Sequence, residues 1–289
     1  MAEEGISFRV KSAAAEPQRP GLRGHLRLVC ARDGNGRSFL RDQSVAVPMH
    51  VSKSFWDGDV LVVQVINPTA GLLAGDFIES EIAVQSGAAL LVTTPSATRV
   101  HDTQAGEACV EQTFSVAAGA RLEVWPEILI PQQGARYRQK TLIDLEAGAE
   151  LLFMEAVAPG RVASGEVFAF RQLDWETEII QNSTKIVRER FRISPNNGSL
   201  DALRAVFPEA YQATLFLVSE KVSDDAPCWN ELRQLHDQDF WLGHSRLCQG
   251  GWVVKMLARD SLVLRSKLEI IRNTIRSCAG WAPSLLRKI

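Results

Sequence analysis

Ile82-Ala83-Val84-Gln85-Ser86-Gly87-Ala88-Ala89-Leu90 recurs as Phe114-Ser115-Val116-Ala117-Ala118-Gly119-Ala120-Arg121-Leu122, and again as Ile143-Asp144-Leu145-Glu146-Ala147-Gly148-Ala149-Glu150-Leu151. The common form is apolar-x-apolar-x-x-Gly-Ala-x-Leu, with Gly87, Gly119 and Gly148 spaced 32 and 29 residues apart. Two alternating apolar residues end a half-buried strand. The glycine takes the left-handed backbone of a tight turn, and the leucine begins a strand that faces inward again. Each unit closes on a proline (Pro95, Pro126, Pro159), which suits a strand end. Units of about 30 residues that bury their faces only against neighbours predict a stacked β-solenoid or a layered β-sandwich-like unit.

Outward from the repeat, the texture stays β. Short alternating or β-branched runs at 26–29, 45–47, 60–66, 78–84 and 90–94 are separated by Gly, Pro, Asn and Asp. Residues 1–21 have no clear period and read as a loose segment, so order is expected from Leu22. After Pro195 the pattern becomes mixed α/β, with short helices expected at 200–206 and 229–236 and strands at 213–218 and 252–257. The last element should be a helix capped by Asp260 or Ser261, with Leu264, Leu268, Ile271, Ile275 and Cys278 on one stripe. Gly280 and Pro283 stop it. Arg265, Arg272 and Arg276 gather on a different face, either the solvated side of a docked helix or a partner-binding surface. The expected organisation is mainly β: a single domain over 22–289, β-rich to 195, with a small helical C-terminal part packed on it as an appendage.

Composition excludes several classes of function. Over 289 residues, 46% hydrophobic and 23% charged, the chain has the balance of a packed globular protein. Lys+Arg 32 against Asp+Glu 34 leaves a net charge of −2, so no overall field recruits nucleic acid or an anionic membrane. The longest apolar run, 60–66, is interrupted by Gln64 and is too short to span a bilayer. The acidic start, Met1-Ala2-Glu3-Glu4, is unlike a signal peptide, so a cytoplasmic location is expected. Five scattered cysteines, an odd number, read as free thiols.

The catalytic signatures are missing. Residues 71–76, Gly-Leu-Leu-Ala-Gly-Asp, have neither the spacing nor the Lys-Ser/Thr of a phosphate-binding loop. Ser96 and Ser164, with His101 and Asp102, lack the Gly-x-Ser-x-Gly context of a hydrolase nucleophile. Cys228, His236, His244 and Cys248 form a loose metal-ligand cluster, and His244 and Cys248 would share a face if that segment were helical. The tryptophans around them (Trp229, Trp241, Trp252) favour a packed structural role. Among the acidic residues Asp59, Asp76, Glu166 and Asp174, Asp76 follows Gly75 and Glu166 follows Gly165. Each of these two either accepts backbone hydrogen bonds and fixes its loop, or serves a divalent cation in a polar passage.

Read together, four motifs carry a resemblance. They are 67–76 (Asn-Pro-Thr-Ala-Gly-Leu-Leu-Ala-Gly-Asp), 93–99 (Thr-Thr-Pro-Ser-Ala-Thr-Arg), Trp125-Pro126-Glu127 with Ile130-Pro131, and 160–168 with Gly160, Arg161, Ala163, Gly165, Glu166 and Phe168. In this order they resemble the signature of the urease accessory protein UreD (UreH) family over 22–289, with Gly71, Gly75, Thr94, Pro95, Arg161 and Gly165 as motif positions. The resemblance implies a non-enzymatic maturation factor of predominantly β fold. It would bind urease apoprotein, the helical accessory protein UreF and the GTPase UreG, and assist nickel insertion. Nickel would be a transient cargo crossing an internal passage, with no tightly bound cofactor. By motif matching, Asp76 and Glu166 are the acidic positions associated with that route, and Arg161 organises the loop of Glu166. Departures lie at Ala70-Gly71, at Arg99-Val100-His101-Asp102 and in the tail 284–289, so contacts made by the tail are not carried over. The competing readings are a β-helical enzyme acting on a carbohydrate or ester, and a stand-alone nickel store.

Overall fold

The computed structural model describes residues 21–284 except 105, 196, 197, 199 and 249. The loose segment expected at 1–21 therefore lies, but for Gly21, outside the described residues. The chain opens with β1 (Arg23–Arg32) and β2 (Ser38–Ala46), then β3 (His50–Val51), β4 (Phe55–Asp57) and β5 (Val60–Ile66). It next winds through β6 (Phe77–Val84), β7 (Ala89–Thr93), β8 (Thr98–Val100), β9 (Ala108–Val116), β10 (Arg121–Trp125), β11 (Leu129–Pro131), β12 (Arg136–Leu145), β13 (Glu150–Val157) and β14 (Gln172–Gln181). After these come β15 (Thr184–Ile193), α1 (Asp201–Val206), β16 (Tyr211–Val218), α2 (Pro227–Gln234), β17 (Phe240–Arg246), β18 (Trp252–Ala258) and α3 (Ser261–Cys278).

The coils are those the repeat predicts. β6, β9 and β12 lie parallel in one sheet, β7, β10 and β13 lie parallel in another, and the short β8 and β11 form a third edge. Equivalent repeat positions meet in register: Ile82 beside Phe114 beside Ile143, and Leu90 beside Leu122 beside Leu151. Each repeat glycine occupies the third position of a turn closed by a backbone bond (Ala88 to Gln85, Ala120 to Ala117, Ala149 to Glu146), at φ of 71°, 67° and 69°. That left-handed backbone strains any residue with a Cβ, which explains why glycine recurs there.

The first sheet has the order β15-β14-β12-β9-β6-β1-β2, and the second runs β17-β18-β16-β13-β10-β7-β5-β3. The C-terminal part is thus not an appendage: β16 pairs with β13, and β18 and β17 continue the second sheet. Among the described residues there, the helices α1, α2 and α3 lie outside the sheets, and α2 and α3 pack on the second sheet's far face through Trp229, Leu232, Leu264, Leu268, Ile271 and Ile275. Covered on both faces, the second sheet has strands buried along their whole length, as in Ala89–Thr93. The first sheet has a solvent face and alternates strictly, as in Arg136–Leu145.

Helix α3 starts as its sequence suggests, with the Asp260 carboxylate accepting from the Leu262 and Val263 amides at 2.9 and 2.8 Å. Its arginines do not sit as expected. Arg265 is exposed, but Arg272 and Arg276 are 6% and 2% exposed and turn to the second sheet, so the three do not make one solvent face. Both reach Glu123 of β10: Arg272 Nε lies 2.5 Å from its carboxylate, and Arg276 holds the other oxygen.

Candidate functional site: a cavity between the two sheets

Towards the third edge the sheets separate around a cavity of about 370 Å³. Its end is formed by the loops of the first three motifs, including Asn67, Thr69, Gly71, Thr94, Pro95 and Glu127. Thr69, Ala70, Pro95, Ser96 and Arg99 are exposed, so this end faces solvent. The loops are tied across coils. Thr94 Oγ1 accepts from the Glu127 amide at 2.7 Å, the Leu72 amide donates to Arg99 O at 2.8 Å, and Leu72 pairs with Val100. Gly71 has φ of 147°, and a Cβ there would come within 2.6 Å of Arg99 O, so the close approach of these loops requires glycine.

The inner wall is polar where alternation predicts an apolar row. Ser80, Gln112, Thr141 and Thr177 lie in register across β6, β9, β12 and β14, on the inward positions two residues before Ile82, Phe114, Ile143 and Ile179. At the Thr177 end of this row stands Glu155, on the inward side of β13 beside Phe153. Its carboxylate accepts from Gln139 Nε2 at 2.7 Å, Trp175 Nε1 at 2.6 Å and Thr177 Oγ1 at 3.0 Å. The Gln139 side chain is itself fixed by the Tyr137 hydroxyl at 2.6 Å. All three donors to Glu155 are neutral. The carboxylate faces the cavity yet is enclosed by protein, and this desolvation pushes its pKa up from 4.5 to about 7, against the opposing pull of its hydrogen bonds. Burial likewise raises the Tyr137 hydroxyl.

Chemically, the cavity offers the Glu155 carboxylate within and Glu127 at its solvent end, hydroxyl and amide oxygens, and no thiolate or imidazole among its lining residues. Such a donor set holds a hydrated divalent cation weakly and exchangeably. Among the described residues no three His, Cys, Asp or Glu side chains converge as a metal site.

The acidic positions matched by motif sit elsewhere. Asp76 is buried at the start of β6, and its two oxygens accept from the Leu22 and Leu73 amides, each at 2.8 Å. Gly75, at φ of 85°, completes the turn that brings the Leu73 amide there. Glu166 follows the 3₁₀ turn Val162–Ser164, which Gly165 ends at φ of 74°. Glu166 accepts from the Gln133 amide at 3.0 Å and forms a two-pronged pair with Arg161, one prong at 2.9 Å. The Arg161 hydrogen bonds hold the Glu166 carboxyl below its usual range. Each carboxylate fixes a loop at the third edge, and neither is among the residues lining the cavity.

The loose Cys/His cluster is dispersed. Residues 240–246 form a strand, not a helix, so His244 and Cys248 share no helical face. His244 stacks on Trp229 at 5.0 Å between ring centres, and its Nε2 accepts from Arg233 at 3.2 Å. His236 Nδ1 meets the Leu242 backbone. Asp59 pairs with Arg121, and Asp174 with Arg190 and Arg192, so neither is a cavity group. Sequence reasoning missed Glu155. The available signal was a charged residue at an inward position in the run Leu151-x-Phe153-x-Glu155-x-Val157.

Comparison with known proteins agrees with the four motifs. The family model described as UreD urease accessory protein matches residues 22–288. A protein of Opitutus terrae called urease accessory protein UreD is 44% identical over 253 residues, covering 86% of this chain and 92% of that protein. Proteins of the same description from Acetivibrio thermocellus and Actinomyces naeslundii are 26% and 29% identical, covering 85% and 92% of this chain and 94% and 98% of their own lengths. With the fold, the motif loops and this match in hand, the chain belongs to the UreD family of urease accessory proteins.

Proposed function

We propose that this chain acts in the cytoplasm as a non-catalytic scaffold of urease maturation. It binds urease apoprotein together with UreF-type and UreG-type accessory proteins, and it lets nickel cross the cavity between its sheets as a transient cargo. The observation that carries this reading is Glu155, a carboxylate inside a polar-lined cavity whose hydrogen-bond donors are all neutral. A divalent cation entering past Thr94 and Glu127 would meet the polar row and then a carboxylate able to give up a proton near neutral pH. One carboxylate at the mouth, Glu127, and one within, Glu155, with otherwise neutral oxygens favour passage over storage, because tight retention needs a fuller ligand set. Asp76 and Glu166 serve the same route by holding the loops at the third edge.

The β-helical enzyme reading has less support. Glycoside hydrolysis ordinarily needs two carboxylates facing across one bond, whereas Glu127 stands at the solvent end of this cavity and Glu155 at the Thr177 end of its inner row. The test is deletion of the gene from a strain carrying the cognate urease cluster. The expected result is urease protein without nickel or activity, and co-purification of the restored chain with the UreF-type protein. Full urease activity in the deletion strain, with no co-purification, would remove the proposal.

A further inference from the structure

The polar row of the inner wall does not stop at Thr177. Thr177 is paired in register with Glu189 of β15, and on the facing sheet Glu155 is paired with Thr214 of β16, which is paired in turn with Lys255 of β18. Directly opposed residues of an antiparallel pair point to the same face, so Thr214 and Lys255 share the inward side of Glu155, and Glu189 shares that of Thr177. Side chains close the ring between the sheets: Thr177 Oγ1 donates to Glu155 at 3.0 Å, and Lys255 Nζ lies 2.7 Å from the Glu189 carboxylate. Behind Glu155 is a crevice of about 10 Å³, room for about one water, lined by Glu155, Val157, Trp175, Phe191, Gln212 and Thr214. Thr214 is 6% exposed, and its hydroxyl has no hydrogen-bond partner among the described residues. Glu155 and Trp175 line both this crevice and the large cavity, so they form the partition between the two. The Lys255–Glu189 pair stands on the outer side, at the edge where β15 ends the first sheet, with side chains 56% and 21% exposed.

We propose that the cavity has a second mouth at this edge and that Lys255 is its plug, a tethered cation that occupies Glu189 until a divalent ion passing Glu155 displaces it. The inference rests on the nickel passage proposed above. Glu155 and Glu189 flank the Thr177 hydroxyl, so a divalent ion that reaches this point is neutralised by two carboxylates once the ammonium has left, with the Thr177 and Thr214 hydroxyls as further oxygen donors. The approaching ion repels the ammonium, and a half-exposed ion pair is weak enough for the flexible lysine to swing into water. With Lys255 in place the crevice is narrower than a hydrated divalent ion, so the end at Thr94 and Glu127 is open while this one is shut. When the ion departs, the ammonium returns to Glu189.

The test is calorimetric titration of Ni²⁺ into the full-length chain, comparing the wild type with Lys255→Met, with Lys255→Arg, and with Lys255→Met combined with Glu189→Gln, the Tm of each being recorded. Lys255→Met is expected to bind Ni²⁺ about fivefold more tightly, because the ion no longer displaces an ammonium. Lys255→Arg should stay at the wild-type value, and the double variant should lose the gain. Lys221→Met, which removes an exposed lysine paired with Glu150, should change nothing. Equal affinities in the wild type and Lys255→Met would overturn the proposal even if Tm falls, as would a gain that survives Glu189→Gln. If Lys255→Met does not fold, Lys255→Gln makes the same comparison. Urease loading separates the plug from the passage: normal loading by Glu155→Ala removes both, whereas lost loading by Glu155→Ala with unchanged Ni²⁺ affinity in Lys255→Met removes the plug alone.

Discussion

Arg272 of α3 and Glu123 of β10, 149 positions apart in the chain, form an ion pair at 2.5 Å from which solvent is almost excluded. Arg276 completes the site from the next helical turn and also donates to Ala282 O at 2.7 Å, so the segment after the helix is held by the same group. Arg272 further lies 5.4 Å from the centre of the Trp125 ring. The last helix is therefore pinned to a repeat strand by charge as well as by its apolar stripe.

Removing the anion alone should be costly. Glu123→Ala leaves two guanidinium groups facing an apolar interior, and a loss of about 3–5 kcal/mol is expected in urea unfolding. Arg265→Ala, at an exposed position of the same helix, should change stability by under about 0.5 kcal/mol. Similar losses for both would contradict the clamp.

Glu155 sets a pH dependence whose sign can be worked out. Its folded pKa, about 7, lies above the ordinary 4.5, so between these values the folded state holds a proton that the unfolded state has lost. Its contribution therefore falls as pH rises from 4.5 to 7, is fully lost above 7, and amounts to about 3 kcal/mol at most. Glu155→Gln keeps an acceptor oxygen but does not titrate. Urea melts should show the variant gaining on the wild type between pH 5 and pH 8; a constant difference would refute the assignment.

Two glycines should respond differently to the same change. A Cβ on Gly119 meets nothing within 4 Å, so Gly119→Ala should cost only the strain of φ near 67°, about 1 kcal/mol. A Cβ on Gly160, at φ of 143°, would overlap the carbonyl oxygen of Glu166, so Gly160→Ala must displace the Arg161–Glu166 loop and cost several times more. Thermal melts of the two variants check the order.

Asp76→Asn and Glu166→Gln test the loop-fixing carboxylates. Each change weakens charge-assisted bonds to backbone amides, so losses of about 1–3 kcal/mol are expected together with reduced nickel delivery. Unchanged stability in both variants would contradict the loop-fixing role.

Much of the fold was legible because the repeat is local. The apolar-x-apolar-x-x-Gly-Ala-x-Leu units name the turn and the strand on either side of it, and the structure stacks Ile82, Phe114 and Ile143 in the register in which they align. What stayed hidden depends on distant partners. On a helical wheel Arg265, Arg272 and Arg276 do form one strip, but only the path of β10 decides that two of them are buried against Glu123. The C-terminal part looked like an appendage because nothing local says that β16 pairs with β13. Motif matching led to Asp76 and Glu166 because their loops stand out by their glycines. Glu155, with only apolar neighbours from Leu151 to Val157, stands out only once the inward face of β13 is known.

The most direct test of the central claim is the nickel content of urease purified from the deletion strain complemented with Glu155→Ala, with co-purification of the accessory partners measured in parallel. The account predicts an intact complex and urease nickel reduced at least several-fold, with Glu155→Asp recovering part of it. Normal nickel loading by Glu155→Ala would contradict a passage through this cavity.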